Sequence, residues 1–431
     1  MFDFIKYIRP LWYYRLAARM PNAVLLDKEE LDKLVESGRI LRGAYSKDEA
    51  IYLDLAYQAL QMGYTPNQSD KPSFQNSVVH GVAANYRFIF RHFGRAKALY
   101  VLFWRIFSFR NPIREIYSFL KNRESKVLLA YTESEQNRFL HATIAEPSVS
   151  VIIPTLNRYE YLKDVLADLE KQRYKNFDVW ICDQTDDYQS EFYQGWDLKL
   201  NVFQQEKKAL WRARNECIRR SNGDFLLFFD DDSRVEPNWI EEHLKVVSPR
   251  RISAGVTDTV VGGGKGIKIG IYHLSDSLDT GNVMIDRGVF EVAGFFDEKF
   301  EKLRMGDGEY GLRCLLNGFP IISNPHGGRV HLKGESGGLR QMGAWDAIHS
   351  IGLFKPRPIP SSLYLARKHF DKETALIYGF SQLPKSLIPY RLKGSGAFKK
   401  VPYLLGSILL SPILLLTFWM SWKKSTEMLG K

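Results

Sequence analysis

Three consecutive aspartates, Asp230, Asp231 and Asp232, follow the apolar run DFLLFF. Carboxylates held side by side repel one another, and desolvation adds to the cost. A hard divalent cation is the usual compensation: Mg2+ or Mn2+ takes oxygen ligands and bridges a carboxylate to a diphosphate. Adjacent strand residues point to opposite faces, so Asp230 and Asp232 share one side while Asp231 faces the other. A solvated acidic loop or a helix-cap cluster would use the same residues, so the aspartates alone leave the metal open. Two other apolar runs end in polar groups. VSVIIPT leads into Pro154, Thr155, Leu156, Asn157 and Arg158, and FDVWICD ends at Asp183, with Asp186 and Asp187 just beyond.

These runs set the architecture. From 148 to about 345, short β-branched segments alternate with helical ones, which predicts parallel βαβ units in one α/β domain. Ligands of such sheets sit outside the carboxyl ends of the strands, where all three polar clusters fall.

Residues 1–147 read as a mostly helical N-terminal region with a membrane-surface or docking role. Asp27 with Glu30, and Ser46 with Glu49, are candidate capping boxes, and Gly38 and Gly63 suit the C-terminal ends of the two helices. Residues 65–85 read as a long connection. Residues 86–110 interleave aromatics with Arg87, Arg91, Arg95, Lys97, Arg105 and Arg110, as in a helix lying on an anionic membrane or packed on the next domain. Residues 346–431 form a helical C-terminal extension. Its apolar tail, 401–422, is about as long as a spanning helix needs (~20 residues). Pro412 would kink it, and Lys399, Lys400, Lys423 and Lys424 flank both ends. A span, a re-entrant or interfacial hairpin, and a buried core helix all fit.

Net charge is +11 over 431 residues, with 45% apolar, 25% charged and 13% aromatic residues. That is a folded chain with a basic excess, which calls for an anionic partner. No zinc-finger or RNA-recognition spacing is present, so nucleic acid is not expected. Cys182, Cys217 and Cys314 lack CxxC spacing and read as reduced structural thiols. Lys6, Arg9, Arg15 and Arg19 interrupt the first twenty residues, so a secretory signal is not expected. The expected location is the cytoplasmic face of the cell membrane, peripheral or monotopic, with at most one C-terminal span.

In order and spacing, VSVIIPTLNR, an aspartate after the second strand, ARNECIRRSNGDFLLFFDDDS, GNVMIDRGVFEVAGFFDEKF and GDGEYGLRCLLNGFPI resemble the family 2 glycosyltransferases across roughly 148–335. The resemblance implies a GT-A fold, a Rossmann-like mixed sheet over 148–345, and inverting sugar transfer from a nucleoside diphosphate sugar. A UDP-sugar is favoured, with GDP or dTDP as alternatives. It further implies that Pro154, Thr155 and Asn157 hold the base and ribose, that Asp183 bonds the base, and that Arg214 and Asn215 lie nearby. Asp230 and Asp231 would belong to the D-x-D element. Asp232 would ligate Mn2+ or Mg2+, with His331 completing the site and His326 a weaker rival. Asp307 would be the general base, and Glu309 the reserve. An acceptor hydroxyl needs such a base near neutral pH, although Asp307 also suits a plain helix N-cap. The acceptor would be a glycan or a lipid-linked, membrane-presented sugar, as in polysaccharide biosynthesis.

Some features depart from the pattern. Gln184 and Thr185 replace the usual second aspartate and glycine, and Gly306 replaces the acidic residue before the base. Ala344 in QMGAW replaces the arginine of processive synthases, so a single addition per encounter is expected. GGGKG at 262–266 lacks phosphate-loop spacing. The rival readings are a nucleotidyltransferase, for which PTLNRYEY offers Arg158 but no glycine, and a catalytically inactive scaffold or sugar-binding module.

Overall fold

The structure, a computed structural model, describes residues 2–12, 25–64, 81–127, 140, 146–248, 251–259, 270–275, 277–333, 352–389, 392 and 395–430. The GGGKG and QMGAW segments and most of the 65–85 connection lie outside the described residues.

The N-terminal region is helical: α1 Ile5–Ile8, α2 Lys28–Glu36, α3 Asp48–Gln61, α4 Val82–Phe107 and α5 Pro112–Lys121. Asp27 caps α2 in a complete capping box, its carboxylate accepting from the Glu30 N–H at 2.8 Å. Gly38 and Gly63, at φ 71° and 80°, follow the C-caps of α2 and α3 in the left-handed conformation that glycine adopts without strain. The Ser46–Glu49 box does not form. Helix α3 starts at Asp48 with Lys47 as an N-cap that makes no side-chain bond, and Asp48 and Glu49 complement the helix dipole instead. Helix α4 breaks at Gly94, φ 78°. Its first half buries Tyr86, Phe88, Ile89 and Phe90, whereas its second half exposes Leu99, Phe103 and Phe107.

The central domain follows as β1 Val149–Thr155, α6 Tyr159–Glu170, β2 Phe177–Asp183, β3 Leu200–Gln204, α7 Leu210–Arg220, β4 Phe225–Phe229, β5 Ser233–Val235, α8 Trp239–Leu244, β6 Ile252–Thr259, β7 His273–Leu274, β8 Asn282–Asp286, α9 Gly288–Ala293, α10 Gly306–Leu316 and β9 Ile321–His331. One mixed sheet runs β3-β2-β1-β4-β8-β6-β9-β5, with β7 also on β9. Strands β1 to β4 pair in parallel, and β8 is antiparallel to β4. The two-residue period sorts the side chains into layers. Val149, Val151 and Ile153 of β1 pack with Leu166 of α6 and Ile240 of α8, while Ile152 joins Trp211 of α7 and Tyr310 of α10 on the other face. All three cysteines are buried and free.

Among the described residues that follow are α11 Pro360–His369, α12 Lys372–Gln382, α13 Val401–Leu409 and α14 Ser411–Met428. Helix α11 packs on α14, and the Arg367 guanidinium lies 4.1 Å from the Trp422 ring centroid. The apolar tail is two helices meeting at 82°. The break falls at Leu410, and Pro412 sits in the first turn of α14, where its missing N–H costs nothing. Among the described residues no single helix is long and apolar enough to cross a membrane, although this bent pair passes by length and composition.

Candidate active site

The carboxyl ends of β1, β2 and β4 bring the predicted clusters to one edge. Thr155, the last residue of β1, donates its hydroxyl to Asp231 at 2.8 Å. Arg158, just before α6, reaches Asp231 and Asp232, each at 3.0 Å. Asp230 receives Arg214 of α7 at 3.1 Å and Arg329 of β9 at 2.8 Å. Antiparallel pairing of β5 with β9 sets Ser233 opposite His331, which puts the His331 Nε2 3.1 Å from Asp232.

The aspartates titrate differently because their partners differ. Burial pushes Asp231 up to about 6, with Arg158 opposing and Asp232 adding to the rise. Burial also acts to raise Asp232, but the hydrogen bond and charge of His331 carry it below the ordinary carboxylate range.

Three guanidinium groups therefore already compensate the aspartates, and charge repulsion alone does not call for a cation. The donor set could hold one: Asp230, Asp232 and His331 each offer a ligand atom, and these atoms lie within 4.8 Å of one another. Two carboxylates supply the oxygen ligands that a hard divalent ion such as Mn2+ or Mg2+ takes, and an imidazole is compatible with Mn2+. His326, the rival ligand, is exposed beside Tyr272 and stands outside this group.

The other predicted residues are placed as follows. Pro154 lies within β1, paired with Cys182. Asn157 has a left-handed backbone, φ 54°. Its N–H donates to Thr185 at 3.0 Å, and its side-chain oxygen accepts from the Asp186 N–H at 3.2 Å. The departure residue Thr185 thus ties the β1 turn to the β2 loop. Asp183 is buried, and it accepts from the Thr185 N–H at 2.8 Å and from the Tyr159 and Tyr193 hydroxyls, both at 2.7 Å. In this state it serves its own loop. Asn215 is engaged in the same way: it both donates to and accepts from the Phe296 backbone at 3.0 Å, fastening α7 to the segment before α10. Arg214 is fully buried and also donates to the Thr280 carbonyl at 2.9 Å.

Asp307 is partly buried in the first turn of α10. It is not the N-cap. That position is Met305, at φ 80°. Gly306 explains its own departure from the family pattern: a Cβ there would lie 2.4 Å from the Trp211 ring. The same ring lies 5.2 Å from the Arg214 guanidinium, and Arg214 holds Asp230. A short chain of contacts thus runs from Gly306, the residue before Asp307, through Trp211 and Arg214 to Asp230.

Glu309, the reserve base, is excluded by its surroundings. It is fully buried and receives Arg313, Lys368 and His369 at 2.9, 2.8 and 2.9 Å. Burial acts to raise its pKa, but the His369 hydrogen bond and the Arg313 and Lys368 charges leave it below the usual range. A carboxylate held this way is a poor proton acceptor and joins α10 to α11. Glu309→Gln should therefore cost on the order of 3 kcal/mol at neutral pH. A depressed folded-state pKa stabilises above the unfolded value (~4.3) and is lost as pH falls through the folded one. Thermal melts of both proteins should converge toward acid pH, and a gap independent of pH would remove the charge argument.

The sequence reading missed Arg329 and Asp279. Arg329 is buried, and besides Asp230 it binds Ser233 at 2.9 Å and Asp279 at 3.0 Å. Its position two residues before His331 on one strand was the available signal, since such residues share a face. Gly281 makes room beside this pair: a Cβ would lie 2.1 Å from the Asp230 Oδ2.

Residues 150–284 match the model of glycosyl transferase family 2. The amylovoran biosynthesis glycosyltransferase AmsB of Erwinia amylovora is 36% identical over 109 residues, 23% of this chain and 36% of that protein. A Methanococcus voltae protein is 24% identical over 207 residues, 41% of this chain and 64% of its own length. It is named dolichyl N-acetyl-alpha-D-glucosaminyl phosphate 3-beta-D-2,3-diacetamido-2,3-dideoxy-beta-D-glucuronosyltransferase. The chain thus spans less than two thirds of either relative. Among solved structures, S. aureus TarS 1-349 in complex with UDP-GlcNAc superposes with a TM-score of 0.43 at 17% identity, covering 65% of this chain and 89% of that one.

Proposed function

We propose, from the premise that residues 150–284 are a family 2 glycosyltransferase domain, that the chain moves a sugar from a nucleoside diphosphate sugar to an acceptor hydroxyl. The observation that carries this reading is the convergence of Asp230, Asp232 and His331 at the carboxyl edge of the sheet, with Gly306, the residue before Asp307, packed on Trp211 and Trp211 on the Arg214 that holds Asp230.

Asp230, Asp232 and His331 would hold Mn2+ or Mg2+, which when bound offsets the charge developing on the leaving diphosphate. Arg158 and Arg329 hold the two aspartates in place from either side. Asp307 accepts the proton of the acceptor hydroxyl as it attacks. Direct displacement with one base inverts the sugar carbon, whereas retention by double displacement would require a carboxylate nucleophile on the opposite side. The donor of first choice is a UDP-sugar, with GDP- and dTDP-sugars next.

The acceptor we place at the cytoplasmic face of a membrane, as a glycan or lipid-linked sugar in polysaccharide assembly. The names of the Erwinia and Methanococcus relatives, one in amylovoran biosynthesis and one on a dolichyl-linked sugar phosphate, support that setting.

The test is a hydrolysis screen of UDP-, GDP- and dTDP-sugars with Mn2+, Mg2+ or chelator, beside calorimetric titration with the free nucleotides. Metal-dependent release of one nucleoside diphosphate is expected. Absence of both turnover and metal-dependent nucleotide binding would leave a scaffold or sugar-binding module. Pyrophosphate release from a nucleoside triphosphate and a sugar phosphate would make the protein a nucleotidyltransferase.

A further inference from the structure

Helix α5 is built inside out. Glu115 and Ser118 are buried, and Glu115 pairs with the buried Arg105 and accepts from the Tyr86 hydroxyl at 2.9 Å. Ile113, Ile116, Tyr117 and Leu120, the i, i+3, i+4, i+7 stripe, face outward, with Ile113 80% exposed. A helix of a water-facing protein turns its apolar stripe to the core and its polar face to solvent. Helix α14 buries Leu414 and Phe418 but also spends its inner face on hydroxyls and turns other apolar residues outward. Thr417, Ser421 and Ser425 are fully buried, while Leu415, Leu416 and Trp419 are exposed. Helix α13 points Leu405, Ile408 and Leu409 outward, the last 85% exposed.

These faces border one seam of the molecule. Helix α1 packs on α12, Arg110 lies 3.6 Å from Glu373, and the Lys385–Leu387 turn packs against α13. Arg110 follows α4 by three residues, so its pairing with Glu373 brings the end of the second half of α4 to α12. The charge pattern selects the occupant. No aspartate or glutamate occurs in 81–114 or in 374–426, while Arg95, Lys97, Arg110, Lys399, Lys400 and Lys423 lie along these stretches. A second copy would bring the same basic charge to the interface. An anionic bilayer supplies both the apolar interior and the negative surface.

We infer that α5, the second half of α4 and the α13–α14 pair form one surface that seats the protein in an anionic lipid bilayer, with Trp419 and Tyr117 at the headgroup level. Neither end of the chain supplies this surface by itself. The inference is independent of the sugar-transfer chemistry, and either can fail alone.

The experiment is flotation of the full chain with vesicles of phosphatidylcholine alone or mixed equally with phosphatidylglycerol. The expected result is flotation with the mixed vesicles, weakened by high salt and by omission of phosphatidylglycerol. Two double variants, Ile113→Glu with Ile116→Glu and Leu405→Glu with Leu409→Glu, should each weaken binding about tenfold or more. All four side chains are exposed, so circular dichroism should match the parent. The inference is overturned if the parent chain stays unbound with the mixed vesicles, or if both variants float as well as the parent. It is also overturned if the parent binds no vesicle but forms a dimer that the same variants dissociate.

Discussion

Asp232→Ala should abolish donor turnover, lowering kcat/KM at least about a thousandfold, because several kcal/mol of transition-state charge stabilisation depend on the cation site. Asp232 is buried, paired with Arg158 and His331, and its backbone carbonyl accepts the Leu332 N–H at 2.9 Å. The substitution removes the carboxylate but keeps that backbone bond, so the β5–β9 pairing survives. Arg158 is not orphaned either, since Asp231 still holds it at 3.0 Å. The fold should therefore persist while the donor set falls from three groups to two. Calorimetry reads the consequence directly: UDP binding in the presence of Mn2+ should fall to its level with chelator. Retention of Mn2+-dependent UDP binding would remove Asp232 from the cation site whatever happens to turnover.

What the sequence could and could not show about this site divides by the range of the interaction. The alternation of Val149, Val151 and Ile153 against Ile152 is local, and so the parallel core of the sheet was legible. The box at Asp27 was legible for the same reason. The box at Ser46 failed because a three-residue spacing does not say on which residue the helix begins. Gly94 shows the converse. One helical pattern over 86–110 supported two incompatible environments, and the break at φ 78° separates a half that buries Phe88 and Phe90 from one that exposes Leu99, Phe103 and Phe107. The triple aspartate suggested uncompensated charge only because its partners lie far off in the chain. Arg329 meets Asp230 across 99 positions, and Arg158 meets Asp232 across 74. No local pattern reports such pairings. Glu309 and Asp307 were equally eligible as bases by type, yet residues two apart on a helix point roughly 200° apart. That rotation turns Glu309 into the core against α11 and leaves Asp307 at the partly open face.

The same geometry makes Asp307→Asn the sharper test of mechanism. Asparagine keeps the size of the side chain and its carbonyl oxygen, so it can still accept the Gly308 N–H that Asp307 takes at 2.9 Å. Helix α10 should start where it does now, since Gly306 against Trp211 and the left-handed Met305 are untouched. What is lost is the ability to take a proton, and removal of a positioned general base costs typically 10²–10⁴ in rate. The expected result is a fall of that size in kcat for transfer, with the donor KM and the Mn2+-dependent UDP affinity close to those of the parent. Two outcomes count against the assignment in different ways. Undiminished transfer would free Asp307 of any role in the reaction. A loss of nucleotide affinity equal to the loss of rate would make it a support of the donor site, and the acceptor's proton would then have to go to another group.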